Sequence, residues 1–585
     1  MASKLFSHSY FFMVWLLVAS LLGACGGSQS NSSRNSQMPV TSPPASAKTL
    51  KLLYWQAPTI LNPHLSSGTK DFEASRITLE PLASFDKNGK MVLFLAAEIP
   101  TVENGGVAKD GKSVTWKLKK GIKWSDGQPF TAADVAFTYQ FVSDREVGAN
   151  SASSYEAIQN IKVLNDYTVK INFKQPNPAW ALPFVGTNGM VLPRHKFESY
   201  LGAKAKQAPA NLMPIGTGPY RVVEFKPGDM IIYEANPNFR EAGKVFFQRV
   251  ELKGGGDAPS AARAVLQTGD ADYAYNPQVE AKILQQLQAA GKGKIFASFG
   301  PQIERVMMNF ADPNHLTPDG ERANIKFPHP FFSDKKVRQA FNVAIDRDAI
   351  AQQLYGITGK ATANFITMPE NLASPNTHYE FNLKKAAALL DEAGWKDTNG
   401  NGIRDKNGIE MKVLFQTSVN PLRQKTQEIV KQALTSIGIQ VELKSTDASV
   451  YFSSDSTNPD NTNHFYADLQ MFTTGNEHPD PGAYMQLYLC EQVSQKSNNW
   501  KKINTSRYCN PEYEALWKQV KGELNPEKRR QLFIKMNDWL IDDVAVIPII
   551  HRADTAAVSN QLEGVELTPW DLQPWKIQDW KRKSN

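Results

Sequence analysis

The stretch "EMKVLFQTSVNPLRQKTQEIVKQALTSIGIQVELK", residues 410–444, decides the class of fold. A short apolar run, "EMKVLFQ", meets a polar loop. Pro421 then opens "PLRQKTQEIVKQALTSIG", where a fixed φ suits the first helical position, and Gly438 closes it. "IQVELK" follows as a second strand. Strand, helix and strand in this order make a parallel βαβ unit. Ligands collect beyond the carboxyl ends of strands in open parallel sheets, so the loop "QTSVNP" (416–421) is a candidate site wall.

Outward from this unit, strand-like and helix-like segments alternate, as in an α/β protein, and no short repeat is visible. "TLKLLYW" (49–55) is a strand that stops where "APTILNP" forces a loop. In "SVTWKLKKGIKWSDGQPFTAADVAFTYQFV", Thr131 with Asp134 forms a capping box ahead of Val135, Tyr139 and Val142. "YRVVEFKPGDMIIYEA" is a hairpin around Lys226, Pro227, Gly228 and Asp229. In "PFFSDKKVRQAFNVAIDRDAIAQQLYG", Ser333 is expected to cap one helix and Asp346 a second that ends at Gly356.

The chain has 585 residues, long enough for several domains. Its first residues do not belong to a globule: Lys4 precedes the apolar run "LFSHSYFFMVWLLVASLLGAC", which is short for a spanning helix and ends in small residues, as a secretory signal does. "LLGAC", ending at Cys25, resembles the lipobox of bacterial lipoproteins, in which the cysteine becomes the lipidated first residue. The signal is therefore placed at 1–24 and a lipidated Gly/Ser/Asn/Pro tether at 25–48. Beyond it no apolar run is long enough to span a bilayer. With Cys25 lipidated, Cys490 and Cys509 remain, and in an exported compartment they are expected to pair. A formal charge of +7 is modest for this length, and no Lys/Arg stripe interleaved with aromatics argues for nucleic acid.

Catalytic signatures are missing: there is no nucleophile elbow, HExxH, CxxC pair or phosphate loop. "GGG" at 254–256 lacks the Lys and Ser/Thr of a phosphate loop and reads as a turn. "DTNGNGIRDKNG" (397–408) puts Asp397, Asn399, Asn401 and Asp405 at calcium-loop positions. Its twelfth position is Gly408 instead of a bidentate acid, so it is a weak calcium site, and a polar turn accounts for it equally. "TTGNEHPDPGAYMQ" (473–486) holds two carboxylates among prolines. Asp480 precedes Pro481 and is the natural N-cap of a helix through Tyr484 and Leu487; Glu477 has no such local employment.

The blocks "VTWKLKKGIKWSDGQPFTAADVAFTYQFV", "GTGPYRVVEFKPGD", "LQTGDADYAY", "FFSDKKVRQAFNVAIDRDAI", "LLDEAGW", "SIGIQVEL" and "RYCNPEYEALW" resemble, in order, those of the family 5 extracellular solute-binding proteins, the oligopeptide- and dipeptide-type receptors of ABC importers. The resemblance implies a type II periplasmic-binding-protein-like α/β fold whose two lobes close on a ligand, with an extra domain inserted in the first lobe. Lobe I is placed at 49–85, 214–307 and 540–585, the insert at 86–213 and lobe II at 308–539, with crossings near Met308 and Trp539. It also implies that an acid a few positions before an acid-Pro pair holds the ligand's α-ammonium. That role falls on Glu477, or on Asn476 in a shifted register, with His478 beside them. Tyr54, Trp55 and Gln56 would form one wall and Thr473 to Asn476, including Thr474 and Gly475, the other; Trp55 could equally pack beneath the cleft. Where dipeptide-selective relatives carry an arginine that caps a short ligand's carboxylate, this chain has Thr417, and Arg423 lies inside the following helix. Longer peptides are expected, or a ligand without a fixed carboxylate.

The implied protein is a lipid-anchored monomer at the periplasmic or outer face of a bacterial membrane. It delivers oligopeptides to ABC permease and ATPase subunits, with no cofactor and no catalysis. The alternatives are a metal chelate or sugar as cargo, or a secreted hydrolase using Glu477 and Asp480 as acid and base.

Overall fold

The computed structural model describes residues 48–66, 68–453, 455–476 and 478–584. The signal, Cys25, all of the tether but Lys48, and Glu477 lie outside the described residues.

One eleven-stranded sheet runs through the body. Its elements, in chain order, are β1 (Thr49–Tyr54), α1 (Thr69–Arg76), β2 (Tyr220–Lys226), β3 (Met230–Ala235), β4 (Arg249–Gly254), β5 (Tyr273–Tyr275) and β6 (Gly293–Met308). There follow α2 (Lys335–Val343), β7 (Gly359–Ala361), β8 (Lys412–Ser418), α3 (Pro421–Ser436), β9 (Gln440–Thr446), β10 (Leu469–Thr474), α4 (Pro526–Asp542) and β11 (Val546–Ser559). The spatial order is β9-β8-β10-β6-β11-β5-β1-β4-β3-β2, with β7 beside β11. Each end of the sheet has a parallel core: β1 runs parallel to β4 and β5, and β8 to β9 and β10. The βαβ reading of residues 410–444 is thus realised, with Asn420 accepting from the Arg423 N–H at 3.1 Å ahead of Pro421 and Gly438 at φ +88° behind Ser436.

The two long strands join the two ends of the sheet. The first part of β6 pairs with the last part of β11, which in turn pairs with β5. The last part of β6, Ile303 to Met308, pairs with β10 and with the first part of β11. Between Phe299 and Ile303 the register breaks, so Gly300, Pro301 and Gln302 stand outside the β6/β11 ladder, and a second shift follows at Glu304. A Gly-Pro step explains the break, because proline has no N–H to give.

Residues 113–173 carry a separate three-stranded antiparallel sheet. Trp116, Trp124, Phe130, Phe137 and Phe141 pack in one cluster with it that also takes in Leu79, Leu82 and Leu572, and Thr131 and Asp134 form the capping box over Ala132–Ser143. Cys490 and Cys509 are disulfide-bonded. No helix among the described residues is long and apolar enough to cross a membrane.

Two cap assignments shift by one residue. The α2 cap is Asp334, whose carboxylate accepts from the Lys336 N–H at 2.8 Å, and not Ser333. The short helix after the acidic loop begins at Gly482, so Pro481 takes the cap position and Asp480 lies one residue before it. Asp480 still accepts from the Gly482 N–H at 2.9 Å, but its carboxylate is drawn into an ion pair with Arg529 of α4. In the 397–408 loop, Asp397 accepts from the N–H groups of Gly400, Asn401 and Gly402, and Asp405 from Thr398. Those bonds organise a turn from within. Among the described residues no group of three or more His, Cys, Asp or Glu could hold a metal ion.

Candidate functional site

A cavity enclosing about 1340 Å³ of empty space, its open mouth included, lies where the carboxyl ends of β1, β5 and β10 converge on the break in β6 and β11. One half contributes Gln56, Tyr275 and Asn276 at the ends of β1 and β5, together with Phe72 and Glu73 of α1. The other contributes Arg423 at the first turn of α3 and Thr473, Thr474 and Gly475 at the end of β10. Pro301, Gln302, Arg552 and Asp554 of the connecting strands form the floor, and the 567–573 segment covers one side.

The halves also touch at the rim. Asn420 donates to Gln278, and Lys425 pairs with Glu280 at 2.6 Å. Elsewhere His478 sets its ring against the edge of Phe85, centroids 4.9 Å apart, and Lys501 donates to the Arg145 carbonyl at 3.2 Å. These contacts describe a closed cleft.

Of the residues singled out from the sequence, Gln56, Thr473, Thr474 and Gly475 line the cavity. Tyr54, Trp55, Thr417, Asn476 and His478 do not. Tyr54 is 1% exposed and stacks on Tyr275 at 4.7 Å, so it carries a wall residue without forming the wall. Trp55 belongs to an apolar cluster and donates from Nε1 to the Asn276 carbonyl at 2.8 Å. Thr417 is fully buried, its hydroxyl donating to the Met471 carbonyl at 2.7 Å. Asn476 donates to the carbonyls of Met368 and His478. The Nδ1 of His478 accepts from the Asp480 N–H, and burial pulls its pKa down to about 4, so the ring is neutral at pH 7. Burial alone would raise the Asp480 pKa, but Arg529 outweighs it and holds the carboxyl below its usual range. Asp480 is therefore a structural anion, unsuited to donate a proton in a hydrolytic pair.

The floor carries charges that no local pattern announced. Glu304 of β6, fully buried, takes a hydrogen bond from Arg423 Nε at 2.8 Å and another from the Thr473 hydroxyl. Burial would raise its pKa, yet Arg423 and Arg552 beside it keep it below the ordinary value. Arg423 spends its other nitrogens on Ser418 at 2.9 Å and Thr473 at 3.1 Å, so it locks the βαβ loop to the connecting strand. Burial pushes Asp554 up to about 6, and burial, with help from the Asp554 charge, also raises Glu73. The Gly-Pro step at 300–301 and an Arg-x-Asp alternation in an apolar strand were the signals that could have pointed to this floor.

Comparison with known proteins gives this architecture relatives. The profile of bacterial extracellular solute-binding proteins, family 5 Middle, matches residues 94–496. The oligopeptide-binding protein AppA of Bacillus subtilis (strain 168) is 27% identical over 565 residues, 95% of each chain. Its solved structure, in complex with a nonapeptide, superposes with a TM-score of 0.77 at 26% identity and covers 92% of this chain and 99% of that one. NikZ of Campylobacter jejuni, in complex with Ni(L-His), gives 0.76 at 23% identity over 92% and 100%; at that identity the likeness concerns the fold alone.

Proposed function

Because the chain belongs to the bacterial extracellular solute-binding proteins of family 5, we propose that its solute is an oligopeptide, captured by closure of the two halves and released to an ABC permease. The observation that carries this reading is the cavity itself, bounded by both halves where they touch at the rim. A ligand that touches both walls only when they meet supplies the free energy of closure. The peptide cargo of the Bacillus subtilis relative supports the same class.

In this reading Glu477 receives the peptide's α-ammonium; Thr474 and Gly475, just before it in the chain, line the cavity. The strand ends supply main-chain hydrogen bonds to an extended ligand. The break in the ladder favours crossings at Gly300–Gln302 and His551–Ala553, since Met308 pairs with Leu469 well inside the second half and Trp539 sits within α4. Cys25 would hold a lipid and the following tract would leash a monomeric body to the membrane.

Thermal unfolding with a peptide panel tests the proposal. Peptides with a free N-terminus should raise Tm, and their N-acetylated forms much less, because an unpaired buried charge costs about 2–5 kcal/mol. Equal shifts would remove Glu477 from its role. No shift with any peptide would remove peptides as the cargo.

A further inference from the structure

Three cations line the cavity: Lys70, Arg423 and Arg552. Lys70 is fully engaged, its ammonium on both Asp71 oxygens at 2.8 Å and on the Thr59 hydroxyl at 3.1 Å. Arg423 is spent on Glu304, Ser418 and Thr473. Arg552 differs. It is 7% exposed, yet its Nε and Nη1 meet no acceptor among the described residues. Asp554 stands two residues along the same strand and lines the same cavity, but forms no ion pair with it among the described residues. Its charge is felt by Glu304 and by Asp554, but two buried N–H groups without an acceptor are costly all the same, and that cost is recovered when an acceptor arrives.

We infer that Arg552 is a binding residue for a carboxylate of the captured solute, on the floor of the cleft where β11 passes from one half to the other. The inference rests on the peptide reading above, which supplies the carboxylate: the chain end of a peptide or an Asp/Glu side chain. Both present the planar pair of oxygens that a guanidinium matches with parallel N–H bonds. The position explains how the chain manages with Thr417, which is fully buried and bonded to Met471, where an arginine would otherwise reach a ligand carboxylate. It also couples binding to the connecting strands. Arg552 lies beside the register break and pairs across to Gly359 of β7, so an anion there is held by the element about which the halves turn.

The test is isothermal titration of the purified chain and of Arg552→Gln and Arg552→Lys. Peptides are supplied as free acid and as C-terminal amide, with an internal Glu or Gln. In the wild type, neutralising the carboxylate that Arg552 receives should weaken binding at least about tenfold, in line with the usual worth of a buried charge pair. Loss on amidation identifies the chain end, and loss on Glu-to-Gln exchange identifies the side chain. Arg552→Gln should bind the acid forms as weakly as the wild type binds the neutral ones and be indifferent to the exchange, with Arg552→Lys in between. Retention of the wild-type acid-to-neutral ratio by Arg552→Gln overturns the inference. Glutarate titrated into the same proteins, read by thermal shift, keeps the question separate from the cargo. Stabilisation of the wild type but not of Arg552→Gln upholds the subsite even if every peptide fails, and equal behaviour with both probes refutes it. Circular dichroism of the variants confirms that each is folded.

Discussion

Replacing Arg423 by methionine isolates the energetics of the cavity floor. The substitution keeps much of the apolar stem but leaves Glu304, 0% exposed, without its main partner. Removing one member of a buried ion pair costs roughly 3–5 kcal/mol, whereas replacing both with apolar or neutral groups is close to neutral. At an unfolding entropy of ~2.1 cal/mol/K per residue, spread over some 540 residues, that is a fall in Tm of about 3–4 °C. The sign of the pH dependence makes the test sharper. In the wild type the Glu304 carboxyl is held below its ordinary pKa, so its contribution is complete at neutral pH and is lost as pH falls through the depressed value. In Arg423→Met, burial dominates and the carboxyl is raised; the deficit should be largest near pH 7.5 and shrink toward pH 5. Thermal unfolding at both values reads this directly. Glu304→Gln combined with Arg423→Met should restore most of the lost Tm. A deficit that is equal at the two pH values, or a double variant no better than the single one, refutes the assignment of the pair as an ionised buried lock.

Two further outcomes are expected. Asp554, pushed up to about 6 by burial, opposes folding while ionised, so stability falls as pH rises from ~4 to ~6 and stays lower above; Asp554→Asn should raise Tm by about 1–2 °C at pH 7.5 and not at pH 4, and an unchanged Tm at pH 7.5 counts against it. A methyl group on Gly475 would enter the space of the Pro301 carbonyl, so Gly475→Ala should weaken peptide binding by prising the end of β10 from the connecting strand, at about 1–3 kcal/mol; wild-type affinity in a calorimetric titration would exclude the contact as a closing surface.

The sequence showed the βαβ unit, the Lys226–Asp229 hairpin and the capping box at Thr131 because each is written in residues a few positions apart. Caps drifted by one residue, from Ser333 to Asp334 and from Asp480 to Pro481, since neighbouring acceptors compete for the same N–H groups. The floor of the site was hidden for a different reason. Glu304 and Arg423 are 119 positions apart, and Arg552 and Asp554 reach the site only once their strand is threaded between the two halves. Tyr54 and Trp55, expected to form one wall, instead face apolar partners on opposite sides of the strand, and Gln56 alone of the three faces the opening.

The interrupted ladder at Gly300–Gln302 has a mechanical corollary. Over three residues the strands share no ladder bonds, and the His551 ring on the Gly300 carbonyl at 2.6 Å spans the gap, so twisting there disturbs few main-chain bonds and little of the work of opening is stored in the connecting strands. It resides instead in distant clasps such as Lys425 with Glu280. Weakening a clasp lowers the fraction of molecules already shut, and apparent affinity drops by that fraction for every cargo alike. Grip strength can thus drift without any change in what is gripped.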